Sequence, residues 1–437
     1  MIEFNPLREL PCVAGYGEGD VFVLFGELFG RGYANGLVEQ ARNAGMTILG
    51  ITVGRRDSDG ALRPLNGDEL SESEAFLGGK IVNIPLEAGF DLDRDESGHS
   101  PVEYLKGVKS DAWEGVELDR TAIEQAIKAG RERFASNLEL VMEQLDALIP
   151  DGRNVIFSHT MAGGVPRARI LMPVMNRVFK GQGERFTPSE VFWKSSLGEL
   201  CRMSFDEVTA NTFRCLLSAS GRIRERILTT GGRVSYTAYG YHGCEVLING
   251  VYTWQSYAPY LQGWAKMRLE EAASEAWAEG ISATVFNCPE IQTNSSALFL
   301  GVELSLYPLL RALEKEGGGR PAEDIMDACR ALLKEGVSLE DVLTAADSYL
   351  SDPVNGEFRN FGEWPRHNSS RQASLMLGFA NRILDMNRDQ KDIVCAELSR
   401  AVFRAVGRLI FDCSWAPSAP VVWLNHDIVA RRILVGK

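Results

Sequence analysis

Tyr257 and Lys266 are separated by eight residues in YAPYLQGWAK, and a phenol beside an ammonium is a pairing with a use in reduction. The phenol donates a hydrogen bond or proton to an oxyanion as it develops. The lysine's charge lowers the phenol's pKa and its N–H groups can hold a nicotinamide ribose. Nine positions along one α-helix amount to about 180° of rotation, so two helical residues at this separation would face opposite ways. Pro259 offers a resolution, because proline favours the first helical position and disfavours helical geometry in the residue before it. Tyr257 is therefore expected in the lead-in to a helix, bent back over Lys266. Tyr260 is a rival donor, and Tyr239 with Tyr241 is expected to form a second tyrosine wall, which makes Tyr239 a further catalytic candidate. The competing reading is an ordinary amphipathic helix with a solvated lysine.

The second constellation is GELFGRG, which sets Gly26, Gly30 and Gly32 in the spacing G-x-x-x-G-x-G. A dinucleotide's pyrophosphate needs backbone amides at a helix N-terminus, and glycine permits both the tight turn and the close approach. With 43 glycines in the chain such a spacing can arise by chance, so its context decides: it follows an apolar strand and opens a helix. A glycine turn that merely packs helix on sheet is the alternative. Glu27 counts against cofactor binding unless its carboxylate points away from the phosphates. At the end of the next strand, VGRRDSDG offers Arg55 and Arg56, which favour NADPH, and Asp57, which suits NADH. The cofactor is thus expected to be NADH or NADPH.

These residues need a scaffold, and the hydrophobic pattern supplies one. Short continuous apolar runs at 20–26, 47–54, 80–86, 155–160, 233–238 and 282–287 read as buried strands, and helical patterns fall at 33–44, 120–148, 188–199, 205–229 and 260–279. The alternation predicts an α/β fold: a doubly wound Rossmann-type parallel sheet with additional C-terminal helices. The expected organisation is a dinucleotide-binding and catalytic domain over 1–300, with an insertion at about 87–119, and a helical extension over 301–437 packed on it.

A net charge of −13 opposes association with nucleic acid or an anionic membrane. A local cluster of Arg167, Arg169, Arg177, Lys180 and Arg185 is either an anion patch or a solvated helix face. Eight scattered cysteines without a C-x-x-C pair, and five histidines with no two closely spaced, argue against a metal centre and for free thiols. No signal peptide or membrane-spanning run is evident, so a cytoplasmic location is expected.

Taken together, these residues resemble the enoyl reductases of type II fatty-acid synthesis in the short-chain dehydrogenase/reductase superfamily. The spacing of Tyr257 and Lys266 is similar to that of the branch acting on trans-2-enoyl-ACP and trans-2-enoyl-CoA. NCPEIQTNSSALF resembles that superfamily's loop after the sixth strand, where a threonine such as Thr293 contacts the cofactor, and LSLYPLLRALEKEG (304–317) is similar to a helix of the same branch. FSHTMAGG (157–164) resembles the end of its fourth strand, which implies that Ser158 and His159 border the nicotinamide. The resemblance covers 20–317. The acidic cofactor-selecting residue expected after the second strand is replaced by Gly54 or Arg55, and 91–119 has no counterpart.

The resemblance implies hydride transfer to the β-carbon of an α,β-unsaturated thioester carried on acyl carrier protein or CoA. Tyr257 would stabilise the enolate and Lys266 would hold the cofactor. Segments 172–179 and 298–310 would form an apolar acyl pocket, and a homo-oligomer is possible. A carbonyl or sugar-nucleotide oxidoreductase shares the glycine loop but spaces its tyrosine and lysine three residues apart. A non-catalytic dinucleotide sensor needs the loop alone.

Overall fold

The computed structural model describes residues 3–58, 60–256, 261–293, 301–357, 359, 367–391 and 394–436. Its centre is a seven-stranded sheet whose pairings are all parallel. In chain order the strands are β1 (Val21–Phe25), β2 (Thr47–Thr52), β3 (Lys80–Pro85), β4 (Val155–His159), β5 (Val234–Gly240), β6 (Ala283–Asn287) and β7 (Val421–Trp423). Across the sheet they run β3-β2-β1-β4-β5-β6-β7, so the order reverses between β1 and β4. In open parallel sheets a crevice forms outside the carboxyl ends of the strands at such a reversal. The strands read as continuous apolar runs because both faces are covered: every residue of β1, β4 and β5 is buried.

One face packs on α1 (Ala34–Asn43) and α4 (Ala396–Trp415), the other on α2 (Arg120–Leu148) and α3 (Leu261–Ala278). The first two helices cross backbone to backbone. A Cβ placed on Gly36 would lie 1.9 Å from the Phe403 carbonyl oxygen, and one on Gly407 would lie 2.1 Å from the Gly36 carbonyl carbon. That crossing sets a C-terminal helix directly against the helix that follows the glycine loop.

The six strands and the helix over 120–148 lie within two residues of their expected bounds. The chain beyond 300 does more than add helices, because its Val421–Trp423 becomes the seventh strand, and the N-terminal segment continues the pairing through Leu7 N to Trp423 O at 2.9 Å. Three residues are too few to show a period. Between β5 and α3 a hairpin, Gly243–Ile248 with Val251–Ser256, turns at Asn249 and Gly250, both at positive φ. The apolar pattern predicts no element there, and the Asn-Gly dipeptide is the one sequence signal for the turn. The polar stretch after the second strand holds the helix Gly67–Leu77, started by a capping box between Asn66 and Glu69. The helical patterns at 188–199 and 205–229 are each broken, the second into a π-turn at Asp206–Asn211 and the helices Thr212–Ala219 and Gly221–Thr229.

Candidate active site

The glycine loop leaves β1 at the reversal point and separates two cavities. Gly26 sits at φ +136°, and a Cβ there would lie 2.4 Å from the Thr160 hydroxyl, so the ends of β1 and β4 approach too closely for any side chain. Around Gly30 and Gly32 nothing lies within 4 Å of a Cβ position, which leaves open space in front of the loop. α1 starts there with no side-chain cap and no acidic residue in its first turn. Its positive end therefore faces that space unopposed, as an anionic pyrophosphate requires. The residues present fit a dinucleotide.

On the β4–β6 side lies a cavity of about 280 Å³, bounded by Gly32, Tyr33, Tyr239, Lys266, Glu290 and Thr293 among others. Lys266 reaches it from α3 and donates from Nζ to the Tyr239 carbonyl oxygen at 2.6 Å. Removal of water by the surrounding protein brings its ammonium down to about 8. The helix is held at this rotation one turn further on. Buried Glu270 accepts from Asn287 Nδ2 at 2.6 Å and lies 3.0 Å from His242 Nδ1, while Asn287 Oδ1 takes the His242 N–H at 2.9 Å. Both partners lie at or just beyond strand ends, so α3 is tied to β5 and β6 beside the cavity.

Tyr239 lines the same cavity and stacks on Tyr33, with ring centroids 5.9 Å apart. Its phenol has Ser158 as a polar neighbour but, among the described residues, no hydrogen bond of ordinary geometry, and burial raises its pKa. Lys266, Tyr239, Gly32 and Thr293 are thus brought together. Tyr257 and Tyr260 lie outside the described residues. Ser158 and His159 do not reach the cavity wall. Both are still within β4, paired in register with Leu24 and Phe25, and His159 is packed between Phe25 and Phe213 with Nε2 2.8 Å from the Thr212 hydroxyl. The strand continues through His159, so the first side chain free to line the crevice is Thr160. Of the segments expected to form an acyl pocket, Val302 lines the cavity, whereas helix Leu171–Lys180 buries its apolar side in a separate cluster.

The second cavity, about 240 Å³, lies on the β2–β3 side and is bounded by Gly26, Glu27, Glu87, Asp91, Thr160 and Arg167 among others. Arg55 and Arg56 are each already paired with a carboxylate here. Arg55 Nη1 donates to Glu27 at 2.9 and 3.2 Å and to the Gly54 carbonyl, and Arg56 bonds Glu87 and the Gly60 carbonyl. Arg167 is likewise paired with Glu87 and Asp91. These arginines therefore serve the acidic wall of the cavity in place of a phosphate.

Sequence reasoning passed over Glu290 and Glu303. The Tyr241 hydroxyl donates to Glu290 Oε1 at 2.5 Å, and burial pushes both carboxyls up to about 7. Glu303 Oε1 is buried without a hydrogen-bond partner among the described residues. Burial of a glutamate leaves no mark in a sequence, and in NCPEIQT the family resemblance points to the threonine alone. Because the folded pKa exceeds the usual 4.5, the fold binds these protons more tightly than the unfolded chain does. Their stabilising contribution is full below about 4.5 and is lost as pH rises through about 7. The denaturation midpoint should fall between about pH 5 and 7.5, and Glu303→Gln should flatten that fall; an equal slope in the variant would contradict the assignment.

Comparison with known proteins agrees with this geometry. A family model described as enoyl-acyl carrier protein reductase FabMG matches residues 3–433. Among solved structures the chain is similar to an apo structure of FabMG, a novel type of enoyl-acyl carrier protein reductase. The two are 50% identical over 100% of this chain and 99% of that one, with a TM-score of 0.95. It is also similar to an NADH-bound structure of FabMG, at 42% identity over 100% of both chains and a TM-score of 0.80. A search of curated sequences returned no match. A match that spans almost every residue, on a parallel sheet with a glycine loop at its reversal point and Lys266 in the crevice, places this chain in the FabMG family of enoyl-acyl carrier protein reductases.

Proposed function

We propose that this chain reduces the α,β double bond of an enoyl thioester on acyl carrier protein, using NADH, by the chemistry of short-chain dehydrogenases. The single observation that carries the reading is Lys266 projecting from α3 into a cavity beside the glycine loop. The strand order, with β3-β2-β1 on one side of the reversal and β4 to β7 on the other, supports the superfamily assignment. The acidic wall on the β2–β3 side and the NADH carried by a 42% identical relative support NADH as the cofactor.

Bound NADH supplies the hydride, which goes to the β-carbon of the substrate and leaves negative charge on the thioester oxygen. The chain's own residues act on that charge and on position. Tyr257 donates to the oxyanion, and the Lys266 ammonium raises the phenol's readiness to do so. The Tyr239 carbonyl holds Lys266 in place, and the stacked rings of Tyr33 and Tyr239 exclude water from one wall. The eight unpaired cysteines fit a reducing, cytoplasmic setting. Among the described residues no helix is long and apolar enough to cross a membrane.

The test is cofactor consumption measured side by side with enoyl-acyl carrier protein and enoyl-CoA. NADH oxidation with the carrier-protein substrate is the expected result. Measurable NADH binding without oxidation by any enoyl thioester would overturn the reading in favour of a sensor.

A further inference from the structure

Glu27 stands directly after Gly26, where a carboxylate would repel a pyrophosphate if it faced the loop's open side. Its carboxylate is instead bonded at the end of β2. Its Oε1 accepts from the Thr52 hydroxyl at 2.5 Å, the Val53 N–H at 3.0 Å and Arg55 Nη1 at 2.9 Å. All three donors lie at the carboxyl end of β2 or just past it. The side chain has therefore been drawn from the glycine loop to the place where dinucleotide domains read the adenosine ribose.

At that place the chain's own β2 terminus is deficient. Gly54 has no side chain, and the Arg55 side chain carries the wrong sign for accepting from a hydroxyl. Glu27 fills the gap. Among the described residues its Oε2 accepts only from Arg55, at 3.2 Å, and the side chain keeps 13% of its surface open. Glu27 lines both the β2–β3 cavity and the β4–β6 cavity, so it borders the path between them.

We infer that Glu27 is the residue that selects the cofactor: its Oε2 accepts hydrogen bonds from the adenosine ribose hydroxyls, while its negative charge, with Arg55 held in an ion pair, excludes a 2′-phosphate. This rests on the reading of the crevice as a dinucleotide site. The carboxylate usually comes from the end of the second strand; here it comes from the loop after the first. Glu87 and Asp91 on the same cavity add to the exclusion, because specificity against a competitor is built from repulsion as well as attraction.

Three consequences distinguish selection from mere bracing of the loop. Glu27→Gln keeps the shape of the side chain but removes the charge and releases Arg55. With an enoyl thioester at fixed concentration, kcat/KM for NADH should fall about tenfold or more, mainly through KM, and kcat/KM for NADPH should rise. Adding Arg55→Ala to that variant should abolish the gain with NADPH. The wild-type protein should bind an NADH analogue lacking the adenosine 2′-hydroxyl at least several-fold more weakly than NADH, a measurement that does not depend on any variant folding. An unchanged ratio of NADPH to NADH use in Glu27→Gln, or equal binding of NADH and its deoxy analogue by the wild type, would overturn the inference. Failure of the wild type to oxidise either cofactor with any enoyl thioester is a different result, and would sink the reductase reading instead.

Discussion

Replacing Tyr257 by phenylalanine should lower kcat for enoyl thioester reduction by about 100-fold or more while leaving NADH affinity within a factor of about two. The size follows from what is removed. A single donor aimed at a developing oxyanion acts where charge appears only in the transition state, so its loss is felt in kcat and hardly in ground-state binding. Phenylalanine keeps the ring and removes only the hydroxyl. Tyr239 is the rival that this experiment discriminates against. Its phenol lines the same cavity, but burial raises its pKa and its ring is committed to the stack with Tyr33. Should Tyr239→Phe silence turnover while Tyr257→Phe does not, the roles are exchanged. Steady-state kinetics paired with fluorescence titration of NADH separates these outcomes.

Lys266→Ala should damage both binding and turnover, weakening NADH affinity about tenfold or more and lowering kcat as well. Two features of the site lead to this double effect. The ammonium is anchored by a 2.6 Å hydrogen bond to the Tyr239 carbonyl and retains further N–H groups for a ribose. It is also the positive charge on which the phenol's acidity depends. Desolvation has brought its pKa from the usual 10.5 down to about 8. The charged form therefore prevails below about pH 8 and is lost above it. For the free enzyme, kcat/KM should decline as pH rises through that value, and Lys266→Arg, whose charge persists, should remove the decline if it retains activity. A wild-type profile flat through about pH 10 would show that the lysine stays charged or does not contribute.

Burial on both faces explains why the scaffold was legible. VFVLF is apolar throughout, and TILGIT and VIFSH are apolar except at their ends, because a parallel sheet covered by helices leaves no polar side to alternate with; KIVNIP, at the sheet edge, is only partly buried and carries Lys80 and Asn83. The glycine spacing gained its meaning from the strand before it and the helix after it, and both are present. What escaped the pattern was short or depended on distant partners. Val421–Trp423 is a strand only because β6 lies beside it, and helix Gly67–Leu77 buries just Leu77, so its apolar stripe is nearly absent.

The site shows the same division. Lys266, Tyr239 and Thr293 could be picked by type and position because their neighbours in sequence carry the element that places them. The resemblance assigns Ser158 and His159 to the nicotinamide, although both fall inside the expected strand; in the structure they stay in the β4 ladder and Thr160, directly after it, lines the crevice. Glu27 had seemed an objection to cofactor binding. Only the positions of Thr52, Val53 and Arg55 reveal that its carboxylate is bonded at the end of β2.

A structure of the protein with NADH and an unreactive enoyl thioester tests the central claim most directly. The nicotinamide ribose is expected about 3 Å from Lys266 Nζ, the ring in the cavity walled by Tyr239, and the thioester oxygen within reach of the Tyr257 hydroxyl. A nicotinamide bound elsewhere, with Lys266 still facing only the Tyr239 carbonyl, would contradict it.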